Sequence, residues 1–285
     1  MSEPTEPTGA SERRDSAMEV GRLTAAEVAA VLSRVRERAP LVHCMTNIVV
    51  AGFTANVLLA AGASPAMVEN QEESAQFAAV ADALLVNLGT LSAERARAMR
   101  AATASAQAAG TPWVLDPVAV GPLAFRTRLA ADLLEQGPAV VRGNPSEVLS
   151  LAGAAGTGRG VDSTANSQDA MQAAYDLAAR TGSVVAVSGV IDYITDGATV
   201  LQVRTGHPLM TRVTGVGCAL GALVAACCAV EESALVAATA ATTVLTVAGE
   251  VAAAASTGPG SFAVALLDTL AALDETTIAA HPGIG

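Results

Sequence analysis

Lysine is missing from this chain: all 16 of its cationic side chains are arginines. That absence excludes several chemistries at once, because a Walker A loop, a protein kinase and a pyridoxal enzyme each depend on a lysine amine. Aromatic residues are scarce, at 2%. The core of a 285-residue chain that is 52% hydrophobic must therefore be built from Ala, Val and Leu, which favours helices packed closely on a sheet of β-branched strands. Cysteine is sparse too. Cys44, Cys218, Cys227 and Cys228 form no CxxC pair and no signal-peptide pattern precedes them, so neither a disulfide framework nor a structural zinc site is expected, and a reducing cytoplasm is. Basic charge is outweighed, with 27 acidic residues against 16 basic and a net charge of −11. Such a chain repels nucleic acid and anionic lipid, and neither is expected as a partner.

The segment 1–22, MSEPTEPTGASERRDSAMEVGR, is polar and lacks an apolar core, and it reads as a disordered tail before a single domain over residues 23–285. Residues 233–249 are uncharged until Gly249 but mostly Ala and Thr, a buried helix rather than a membrane span. Elsewhere strand and helix patterns alternate. Thr24-Ala25-Ala26-Glu27 opens a helix as a capping box, and Pro40 ends it near Arg38. Short apolar runs at 40–45, 83–89, 113–117 and 139–144 each end in a turn signal, with helical patterns at 49–61, 92–109 and 171–180. Asp196-Gly197 marks a hairpin-type turn after the run 183–188. This rhythm predicts an α/β fold with one mostly parallel sheet and helices on both faces.

In such sheets ligands gather where the strands end. Thr46, Asn47, Asp116, Asn144 to Glu147, Ser188 and Gly215 to Cys218 all fall there. Thr214-Gly215-Val216-Gly217-Cys218 leads into an Ala-rich helix, so its amides and the helix dipole can gather an anion without lysine; taken alone, the two glycines read first as a tight turn before a buried helix. Cys218, in the first helical turn, has either a dipole-lowered thiol pKa that suits it to meet an attacking alcohol or the role of a small buried hydrophobe. Cys227 and Cys228 belong to the core. Asp116, before Pro117, is either a phosphate-metal carboxylate or a turn former. Asn144-Pro145-Ser146-Glu147 is a complete N-cap, N1 and N3 arrangement, and the same Glu147 can serve a metal while Arg142 clamps phosphates. His43 reads as a buried, hydrogen-bonded histidine, and His207 and His281 as loop residues.

Taken together, Pro40 to Asn47, Ala61 to Met67, Asp116-Pro117-Val118, Arg142-Gly143-Asn144 with Glu147, Gly160-Val161-Asp162 and Thr214 to Cys218 resemble the hydroxyethylthiazole kinases, in order and from about Pro40 to Phe262. The resemblance implies a ribokinase-like three-layer fold, a homotrimer with active sites between subunits, and phosphorylation of hydroxyethylthiazole by ATP with magnesium (Mg2+) in thiamine salvage. It places the thiazole alcohol near Asn47, Met67 and Gly215, ATP on Arg142 and Ser188, magnesium on Asp116 and Glu147, and catalysis on Gly215, Gly217 and Cys218. Relatives acting on sugars and pyrimidines resemble one another in an aspartate where this chain has Cys218. Two positions depart from the family pattern: Val216, where Ala or Thr is expected and where a branched side chain is expected to crowd the phosphate, and Ser188, where Thr is common. The rival readings are a kinase for another alcohol such as hydroxymethylpyrimidine, which the Cys opposes, and a non-catalytic thiazole or nucleotide sensor.

Overall fold

Along the strand Ala83–Asn87, Ala83 and Leu85 enter one hydrophobic core while Leu84 and Val86 enter another on the opposite face. A strand buried on both faces has no polar side to alternate with, which explains the continuous apolar run. In the computed structural model, residues 19–153, 168, 170–281 and 283 are described. The first 18 residues of the expected tail and the Gly160-Val161-Asp162 motif lie outside them.

The described strands are β1 (Glu19–Val20), β2 (Leu41–Met45), β3 (Ser64–Ala66), β4 (Ala83–Asn87), β5 (Trp113–Asp116), β6 (Val140–Gly143), β7 (Val184–Val187), β8 (Asp192–Thr195) and β9 (Thr199–Val203). They form one sheet in the order β1-β9-β8-β7-β6-β5-β4-β2-β3. Every pairing is parallel except the two made by β8. Two strands were not anticipated. Glu19 and Val20 pair with Thr199 and Val200, so these two residues of the segment read as tail are a strand. The edge strand β3 contains Pro65, and three residues around a proline carry no periodic signal.

The helices are α1 (Ala25–Arg38), α2 (Ala51–Ala61), α3 (Gln71–Ala78), α4 (Ala93–Ala109), α5 (Ala124–Leu134), α6 (Pro145–Leu151), α7 (Met171–Thr181), α8 (Val216–Cys228), α9 (Ala234–Ala254), α10 (Pro259–Ala272) and α11 (Glu275–Ala279). Residues of α1, α2, α8, α9 and α10 share one core with the sheet, and residues of α4, α5 and α7 share the other, giving the ribokinase-like three-layer sandwich. Helix α9 is long and apolar enough to cross a membrane, yet most of it is buried inside the protein. Its Thr239, Thr242, Thr243 and Thr246 hydroxyls donate to carbonyls one turn back, so burying them leaves no unpaired donor.

The chain runs outward from β2 to β3, then returns to β4 and proceeds the other way through β5, β6 and β7. Sequence direction thus reverses across the β2–β4 pair, so their carboxyl ends are the switch-point crevice of such a sheet, where ligands gather.

Candidate active site

Helix α8 is the centre of the site. Gly215, its N-cap, has φ +97° and no capping side chain, so the first-turn amides of Val216, Gly217 and Cys218 have no helical carbonyl to bond. A Cβ on Gly215 would also lie 2.7 Å from Val50. Only glycine satisfies both the left-handed backbone and the close approach.

Arg142, at the end of β6, faces this turn. Its Nη1 donates to the Gly217 carbonyl at 3.0 Å and its Nη2 to Ser188 Oγ at 2.7 Å, while Nη1 stands 3.8 Å from Asp116 Oδ2. The guanidinium therefore joins the ends of β5, β6 and β7 to the glycine turn. Asp116 is buried and accepts from Asn87 Nδ2 at 2.7 Å. Burial pushes its carboxyl up to about 7, against the opposing pull of Arg142.

Glu147 carries out the capping role read from its spacing: Oε2 accepts from the Asn144 amide at 2.8 Å, and Asn144 Oδ1 accepts from the Glu147 amide at 3.0 Å. Its other oxygen accepts from the Ala119 amide at 2.9 Å. The cap thereby ties α6 to the loop after Asp116, and its negative charge bears on Asp116.

The thiol of Cys218 departs from expectation. Burial first, then the charge of Asp116, push it up to about 11, with a hydrogen bond from Asn87 and the charge of Arg142 acting the other way. A helix N-terminus favours a thiolate, but only where desolvation and a neighbouring anion do not outweigh it. Cys218 is therefore a neutral thiol in the first turn of α8.

A cavity of about 590 Å³ extends from the glycine turn, lined by Arg142, Ser188, Asp192, His207, Gly217 and Leu245 among others. Val216 is 5% exposed and packs in the core beside this cavity. Asn47 and Met67 do not line it. They follow β2 and β3, on the crevice side, where Asn47 Oδ1 accepts from the Val49 amide at 3.1 Å. A side chain at Gly215 would meet Val50, so the glycine turn lies close to the same segment. His43 is buried and bonded to the Val68 carbonyl at 2.7 Å, as its strand position predicts.

Three residues of the site were not legible. Asn87 is fully buried between Asp116 and the following turn, and its place at a strand end was the available signal. Asp192, 8% exposed, accepts from the Gly189 amide at 2.8 Å beneath the cavity. His207 reads as an ordinary loop residue until the fold turns it into the cavity wall.

A profile of the hydroxyethylthiazole kinase family matches residues 32–276. The chain belongs to the hydroxyethylthiazole kinase family. It is 57% identical over 253 residues to the hydroxyethylthiazole kinase of Kineococcus radiotolerans, covering 89% of this chain and 92% of that protein. The Escherichia coli hydroxyethylthiazole kinase is 52% identical, covering 89% and 97%. Among solved structures, the hydroxyethylthiazole kinase protein of Pyrococcus horikoshii superposes with a TM-score of 0.84 at 40% identity, over 90% of this chain and 98% of that one. The Staphylococcus aureus pyridoxal kinase solved with AMP-PCP and pyridoxal has a TM-score of 0.56 at 19% identity, over 74% and 87%, a likeness of fold alone.

Proposed function

We propose that this family member transfers the γ-phosphoryl group of ATP to the primary alcohol of hydroxyethylthiazole, and that it acts in the cytoplasm in thiamine salvage as a homotrimer. The carrying observation is that the uncapped first turn of α8, the Arg142 fork bonded to the Gly217 carbonyl and Ser188, and the Cys218 thiol within reach of Asn87 and the Arg142 charge lie together at the strand ends. ATP takes the long cavity, with its phosphates at the glycine turn and Arg142. The thiazole takes the crevice side, near Asn47, Met67 and Gly215. Phosphoryl transfer has a loose transition state, so charge stabilisation and alignment carry most of the catalysis. The neutral thiol of Cys218 accordingly orients the hydroxyl, whose proton passes late to an oxygen of the transferred phosphoryl group as the new O–P bond forms and the bond to ADP breaks.

Asp116 and Glu147 fit magnesium. They are hard oxygen donors whose like charges bear on one another, a situation a dication relieves, and each Glu147 oxygen retains a lone pair beyond its single backbone bond. Among the described residues no group of three metal-binding side chains exists, so water and phosphate oxygens would complete the shell. When bound, the ion would neutralise charge on the transferring phosphoryl group.

The test is phosphorylation of hydroxyethylthiazole by purified protein with ATP and magnesium, beside Cys218→Ala, a chelator control and hydroxymethylpyrimidine. Thiazole turnover that stops with chelation and drops about 10- to 100-fold in Cys218→Ala is expected. Turnover of the pyrimidine instead, or binding without turnover, would overturn the proposal.

A further inference from the structure

The crevice between β2 and β4 contains a backbone outlier. Thr90 has φ +48°, a left-handed conformation that a β-branched residue adopts only when its surroundings compel it. What compels it is visible. Thr90 Oγ1 accepts from the Ile48 amide at 3.1 Å and from Arg95 Nη1 at 2.9 Å. Arg95, in the first turn of α4, reaches further: Nη2 donates to the Thr46 carbonyl and to Glu69 Oε1, the latter at 2.7 Å. One guanidinium thus ties together the segments that follow β2, β3 and β4. Its side chain is 12% exposed and its Nε is buried without a partner, so the clamp is held at some desolvation cost.

The same turn is joined to the chemistry. Asn87 Nδ2 donates to Asp116 Oδ2 while Asn87 Oδ1 accepts from the Gly89 amide at 2.9 Å. Gly89 lies against Asn47, where a Cβ would come within 2.6 Å of the Asn47 Cβ. A continuous path therefore runs from Asp116 through Asn87, Gly89 and Thr90 to the backbone of Thr46 to Ile48.

Resting on the thiazole-kinase reading above, we propose that Thr90, clamped by Arg95, is a positioning residue for the acceptor alcohol: it sets where Asn47 stands relative to the phosphoryl-transfer centre. Its hydroxyl is the only side-chain group bonded to the Ile48 amide in the described structure. Losing it frees the acceptor segment while leaving the Arg142 fork intact on the nucleotide side.

The experiment compares Thr90→Val, which keeps the branched shape and loses the hydroxyl, with Thr90→Ser, which keeps the hydroxyl. Wild-type turnover of hydroxyethylthiazole is measured first. Thr90→Val is expected to raise KM for the thiazole about tenfold, with KM for ATP and kcat within about twofold, and Thr90→Ser to restore the wild-type value. Amide exchange in residues 46–50 is expected to quicken in Thr90→Val alone. Should Thr90→Val fail to fold, Arg95→Gln is read the same way. An unchanged thiazole KM, equal rises in both KM values, a loss confined to kcat, or unchanged exchange at Ile48 each overturn the proposal. A wild-type protein that does not phosphorylate the thiazole overturns the functional reading instead, before any variant is compared, and takes this inference with it.

Discussion

At the scale of single residues, the site's charged groups are governed by burial more than by their neighbours. Cys218 is pushed up to about 11 although it sits at a helix N-terminus beside Arg142, and Asp192 is pushed up to about 6, chiefly by burial. Sequence spacing places a residue on a helix turn but carries no measure of desolvation, which is why it left a lowered thiol pKa and a small buried hydrophobe both open for Cys218. Asp192 yields a pH prediction. Its folded-state pKa lies above the ordinary 3.8, so the folded protein binds that proton more tightly than the unfolded chain does. Stability associated with the group is present below about pH 4 and is lost as pH rises to about 6. Asp192→Asn keeps an oxygen for the Gly189 amide and removes the titration. It is expected to be more stable than wild type by about 1–3 kcal/mol at pH 7.5 and equal to it near pH 3.5, measured as thermal or urea midpoints across that range. A constant difference at all pH values would refute the assignment.

At the scale of elements, caps and turns were the most legible features, because their chemistry is local. Thr24 and Glu27 form both halves of the capping box on α1, Asn144 and Glu147 do so on α6, and Gly197, at φ +87°, turns β8 into the antiparallel β9. The helix expected from Val49 begins instead with a 3₁₀ turn over Ile48–Val50, capped by Asn47. The glycine turn before α8 joins local conformation to packing. Gly215→Ala is expected to lose about 2–3 kcal/mol, since it combines the positive φ with a contact on Val50. Gly110→Ala, at φ +74° with open space around it, should lose only about 1 kcal/mol. Denaturation of the two variants measures the difference, and on the proposed placement of the phosphates Gly215→Ala should also lower kcat, because it displaces the first-turn amides of α8. Equal losses in the two would show that Val50 yields freely.

At the scale of the whole molecule, two apolar side chains stand exposed beside the segment proposed to hold the acceptor. Ile48 and Val49, directly after Asn47, are 66% and 70% exposed, and the proposed subunit contact would cover them. Light scattering on the purified protein is expected to give three times the mass of one chain, and Ile48→Asp with Val49→Asp to give a smaller species with weakened thiazole turnover. A wild-type monomer with full activity would remove the trimer. By itself the sequence determined the layered α/β class, the glycine turn before α8 and the residues gathered at the strand ends, since apolar periodicity, turn chemistry and residue type are local properties. Only the tertiary structure decided that Arg142 spans Gly217 and Ser188, that Asn87 joins Asp116 to the turn at Thr90, and that Asp192 and His207 reach the cavity. Those relations connect residues far apart in the chain through hydrogen bonds and burial, and no local pattern encodes how close two strand ends come.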